Sequence, residues 1–71
     1  MDTIVRQSRL CQEQIREDLK AVARCYPLMP PSAIRLAEEY QEHAAQQLDE
    51  GRPRAARIYA DAAMAQARIL P

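Results

Sequence analysis

His43 is the only histidine, with Glu39 four residues before it and Glu42 adjacent. On a helix that spacing stacks Glu39 and His43 on one face. Such a pair could serve as metal ligands or as a carboxylate-oriented general base. Two groups are too few, because a metal site takes three or four protein ligands and no cysteine lies nearby. A glutamate–histidine pair at a helix surface or rim is the plainer reading. Ser8 and Ser32 have no nucleophile-elbow context, and a single glycine provides no phosphate-cradling loop. The sequence therefore assigns no catalytic, metal or cofactor-binding residue and is expected to be no enzyme, with no cofactor.

Arg52, Arg54 and Arg57 form a second constellation around Pro53. At a helix N-terminus, where backbone N–H groups point outward, three guanidinium groups could hold a phosphate or a partner's carboxylates. Pairing with Asp49, Glu50 or Asp61 is the structural alternative. Adding Arg68 gives a rival functional reading, a small plasmid- or phage-type regulator that binds nucleic acid. Ten Lys plus Arg against ten Asp plus Glu create no field to favour that partner. The helix that follows also has few polar residues with which to read bases.

Cys11 and Cys25 both fall in the first predicted helix. Fourteen helical residues separate them by about 21 Å, beyond the ~7 Å limit for a disulfide. They read as small hydrophobes, the alternative being a redox or interchain role.

Three helices are needed to carry these groups. The first is expected over 2–25, with Ile4, Cys11, Ile15, Leu19, Val22 and Tyr26 within about 80° of one another on a helical wheel. Arginines, Lys20 and glutamates fill its other side. Three prolines among residues 27–31 then break the chain. Leu28 and Met29 between them are placed to plug the end of the core. Ser32 is suited to cap a second helix over 33–50. Leu36, Tyr40, Ala33, Ala37, Ala44 and Leu48 form its apolar face, with Ile34 and Ala45 at the rim. Gly51 suits the position after the helix, and Pro53 the first turn of a third helix over 53–70. So short a break makes the last two helices an antiparallel hairpin. Charge agrees: one Arg against five acids makes helix two −4, and four Arg against Asp61 make helix three, counted from Arg52, +3.

Within that hairpin Tyr40, Ala44, Gly51, Ala56 and Ala63 fall in a recognisable order. Over about 34 residues the segment resembles a single tetratricopeptide repeat. Tyr40 stands at the early aromatic position, Ala44 at the small one, Gly51 at the turn, and Ala56 and Ala63 at the two alanines of the second helix. His43 stands in place of a leucine, Ala60 of a large aromatic and Arg68 of the closing proline. The resemblance implies peptide or helix binding in a groove. One repeat cannot bury its own faces, so a generic alanine-rich hairpin is the alternative.

Helix three carries the strongest signal. Arg54, Arg57, Asp61 and Arg68 crowd into one narrow arc, and almost everything else around it is apolar. A helix packed against one layer needs only one apolar stripe, so this one should be covered from more than one side. The chain has 71 residues, and thirteen of its 34 hydrophobic residues are alanine. Burial then barely offsets the cost of ordering the chain.

The expectation is one all-α domain over 1–71, a small three-helix bundle of a long N-terminal helix and an antiparallel helical hairpin. Its expected role is a protein–protein interaction module: an adaptor, chaperone-like protein or assembly factor. The partner-binding candidates are Ile58, Tyr59, Ala62, Met64, Ala65, Ile69 and Leu70, meeting a partner helix or a second copy. Leu10, Ala21 and Met64 lie outside the core stripes and could rim that interface. Nine Arg against one Lys, with abundant alanine, resembles a GC-rich bacterial coding bias. Met1 is followed by Asp2 and no apolar run reaches seven residues, so neither a leader nor a membrane span is expected. The expected location is the cytoplasm.

Overall fold

A computed structural model of the chain describes residues 10–69. It is a small all-α three-helix bundle: α1 Gln12–Arg24, a 3-10 turn Tyr26–Leu28, α2 Pro31–Asp49 and α3 Pro53–Gln66. Ile15 clusters with Ala44, Leu48, Ala56 and Ala60, whereas Val22 clusters with Ala37, Ala63 and Met64. Helix α1 thus starts at the turn of the α2–α3 hairpin and ends at its open end. It runs antiparallel to α2 and parallel to α3, and packs mainly on α3.

Five of the nine buried hydrophobic residues are alanines, and all five are fully enclosed. Ala37 and Ala44 on α2 meet Ala56, Ala60 and Ala63 on α3. Side chains this small let the two backbones approach closely, towards the short end of the usual 8–10 Å interaxial range. Ile15 and Val22 are the largest fully buried side chains. They fill the groove that the hairpin presents to α1.

The ends of the helices follow from turn chemistry and from where packing surface runs out. Pro31, not the residue after Ser32, begins α2, and Pro30 is its N-cap with ψ 152. A proline at the first helical position needs no N–H partner, and it forces its predecessor to be extended. Ser32 therefore lies inside the first turn. At the other end Gly51 adopts φ +73. Its N–H donates to Leu48 O at 3.0 Å and that of Arg52 to Gln47 O at 2.8 Å, a Schellman closure.

The expected first helix is interrupted. Cys11 is extended, with ψ 131, and α1 starts only at Gln12. Cys11 is accordingly exposed, not part of the buried stripe. Ile4 lies outside the described residues. Leu36, expected on the buried face of α2, is 41% exposed.

Helix α3 is also shorter than expected, ending at Gln66. Arg68 takes the left-handed conformation, φ 59. Its N–H donates to Ala65 O at 3.1 Å and that of Ile69 to Met64 O at 2.9 Å, a second Schellman closure. Ala67 is already across a cleft from Ala33 near the start of α2, so further turns would have nothing to pack on. A non-glycine residue held left-handed costs about 1 kcal/mol or more. Arg68→Gly is therefore expected to stabilise the fold by about 0.5–1 kcal/mol, after the extra freedom of glycine in the unfolded chain. Urea unfolding checks this; a loss of stability would mean that the arginine side chain contributes more than its backbone costs.

Gln41 ties α1 to α2. Its Nε2 donates to the Leu19 carbonyl at 2.8 Å, and its Oε1 accepts from the Tyr26 hydroxyl. Burial, aided by the nearby charge of Glu38, raises the Tyr26 pKa above its usual 10.0. The neutral phenol is the form the fold favours. Its contribution is complete below the unfolded pKa and is lost as pH rises through the higher folded value. Tyr26→Phe should cost about 1 kcal/mol near neutral pH. It should also flatten the fall in melting temperature between about pH 9 and 11, as measured by circular dichroism. Equal slopes in the two proteins would exclude this account.

Candidate functional site

The middle of the polar arc of α3, Arg57 with Asp61, is turned towards α1, whereas Arg54 and Arg68 at its ends are exposed. Arg57, taken from sequence as part of an exposed anion site, is buried, with only 7% of its surface accessible. Its Nη1 meets Asp18 Oδ2 at 2.7 Å and its Nη2 meets Asp61 Oδ1 at 2.8 Å. Nη2 also approaches the Met64 sulfur at 3.3 Å. The guanidinium is thus occupied by α1 and by its own helix. Its assignment as an anion-binding residue is corrected, because a buried charge takes the carboxylates within reach. Arg57 with Asp61 is one of the pairings that the sequence offered as the alternative. Asp18 was missed. It lies only 40° from Val22 on the wheel, and that position beside the core stripe was the available signal.

Arg52 and Arg54 remain exposed. Arg52 pairs with Glu50 at 3.6 Å. Arg68, at the far end of α3, is about 21 Å from Arg54 along the helix axis. The four arginines invoked for nucleic-acid binding therefore form no single patch, and one is internal.

With Arg57, Asp61 and Met64 directed to α1, the opposite face of the hairpin has no layer over it among the described residues. Helical geometry brings Leu36 and His43 of α2 to this face beside Tyr59 and Ala62 of α3, with Ile58 at its edge. Ile58 is 69% exposed. Tyr59 is half-buried against the first core cluster, and its ring stacks on His43 with centroids 5.0 Å apart at 28°. Ala62 is half-buried and Ala65 exposed. The bundle measures only 15 Å in its thinnest direction, consistent with a hairpin covered on one side by a single helix.

Two further partner-binding candidates change status. Met64 is a core residue, 8% exposed, because the arc it borders faces inward; it is not available to a partner. Leu70 lies outside the described residues. Ile69 is exposed, near the end of the bundle. At that end a cleft of about 490 Å³ runs between the 3-10 turn and the end of α3, with Cys25, Met29, Ala33, Ala67 and Arg68 in its walls. Met29 packs on the second core cluster as a plug. Leu28 does not: it is 90% exposed. Cys11 and Cys25 are both free thiols, and Cys25 is half-buried.

Among the described residues no group of three or more His, Cys, Asp or Glu is placed to hold a metal ion. No described helix is long and apolar enough to cross a membrane. No family model matches the chain, and no match is found among curated proteins or solved structures.

Proposed function

We propose that this chain is a non-enzymatic protein–protein interaction module of the adaptor, co-chaperone or assembly-factor kind. One observation carries the reading: among the described residues, the hairpin face opposite α1 leaves Leu36, Tyr59, Ala62 and Ile58 without a covering layer. An isolated exposed leucine needs no explanation. Aligned apolar groups on two adjacent helices make a groove that accepts another helix. Alanine at position 62 allows close approach, and Tyr59, held against His43, offers a rigid aromatic surface of the type enriched in interfaces. His43 then acts as a support for that ring, with no chemical role.

The test is affinity purification from the native host with the wild-type chain and with Leu36→Asp/Ile58→Asp. Both positions are exposed, so the double variant should keep its helical circular dichroism. Partners, including a second copy, should be lost from the variant. Partner sets that survive the double substitution unchanged would place binding elsewhere on the molecule.

A further inference from the structure

We infer that the cleft between the 3-10 turn and the end of α3 is a binding site for a small monocarboxylic acid with an unbranched apolar chain. This site is separate from the hairpin face, since neither Leu36 nor Ile58 lines the cleft. Its volume, about 490 Å³, lies within the range of small-molecule sites. At about 30 Å³ per water-sized group, it takes a ligand of about fifteen non-hydrogen atoms or fewer. Six of the nine described residues in its walls are apolar, and the other three are Cys25, Gln66 and Arg68. Walls of this composition bury an apolar body and orient it through a few polar groups.

Arg68 sets the charge of the ligand. Among the described residues of the walls it alone is charged, and no Asp or Glu stands beside it. It makes no ion pair with any described acid. The carbonyls of Ala63, Met64 and Ala65 at the end of α3 accept instead from the backbone N–H groups of Ala67, Ile69 and Arg68. The guanidinium is thus left without a partner among the described residues.

Nor does the backbone favour an arginine here, because φ 59 is a conformation that suits glycine. A residue held in such a conformation at a cost in stability points to a use for its side chain. A guanidinium beside an apolar cleft is complementary to a carboxylate on an apolar body. A peptide fits less well: its backbone groups need partners, and Gln66 is the only amide side chain in the walls.

The two free thiols provide the test, because Cys25 lines the cleft and Cys11 lies at the other end of α1, about 21 Å away. The full chain is alkylated with neutral iodoacetamide in the presence of octanoate, and each thiol is followed by peptide mass spectrometry. A ligand as small as octanoate should half-protect Cys25 at about 1 mM. At about 3 mM it should slow alkylation of Cys25 about fourfold, with Cys11 unaffected. Neutral octanol has the chain without the charge and should protect several-fold less. In Arg68→Gly, which is expected to fold more stably than the wild type, the two compounds should protect equally. No protection of Cys25, equal slowing of both thiols, or an unchanged preference for octanoate in Arg68→Gly overturns the inference. Protection that appears only once Leu70 and Pro71 are removed identifies those residues as the occupant, and overturns it as well.

Discussion

Arg57→Ala is expected to lower the unfolding free energy by about 3 kcal/mol, towards the small end of what breaking a buried ion pair costs. The lower end applies because Asp18 and Asp61 are partly accessible, their side chains retaining 19% and 32% of their surface. The loss has two parts. Asp18 is left on α1 against the hairpin without its cation, and the aliphatic stem of the arginine no longer fills the space beside Met64. A chain this short has roughly 4–10 kcal/mol of stability in total, so the variant should be partly unfolded at moderate temperature. Arg57→Leu combined with Asp18→Leu should recover most of the loss, since apolar replacement of a whole buried pair is often neutral or better. Urea titration followed by circular dichroism reads both effects. A loss below about 1 kcal/mol would be the behaviour of an exposed pair, and the inward orientation of the arc would then be wrong.

Ala60→Leu is expected to destabilise by about 2–3 kcal/mol, and Ala65→Leu by no more than about 0.5 kcal/mol. Both are alanines on α3, five residues apart, and neither differs from the other in helix propensity. Ala60 is fully enclosed with Ile15, Ala44, Leu48 and Ala56, whereas Ala65 is exposed. Three added carbons at Ala60 must push α1 or α2 away. At Ala65 they meet solvent. Thermal melts of the two variants give the comparison directly, and equal effects would mean that α2 and α3 are not in close alanine contact.

Much of this architecture is legible in the residues. Helix periodicity located the core stripe of Ile15, Leu19 and Val22. Proline and Gly51 located both breaks, because each restricts the backbone whatever surrounds it. The short connection between α2 and α3 made them a hairpin, since three residues cannot carry the chain anywhere else. The helix ends were less legible at Cys11 and Gln66, where no local breaker stands. The end at Gln66 lies where neighbouring surface stops, and an isolated segment holds no information about that.

The candidate site was only half legible for a related reason. A helical wheel shows that α3 has a polar arc and a broad apolar remainder, and both are real. It does not show which of them meets a neighbour. Ordinary amphipathicity points Arg57 and Asp61 to water and Met64 to a margin. The fold does the opposite, because Asp18 on α1 offers the guanidinium a carboxylate at 2.7 Å. Once that pair turns the middle of the arc inward at Arg57, Ile58 is turned outward. The sequence by itself determined three helices, their order, the hairpin and an excess of apolar surface on the last helix. Tertiary structure alone decided where that excess lies. Composition sets how much of a helix is apolar, but its rotation about its own axis is set by the groups on its neighbours, which are distant along the chain.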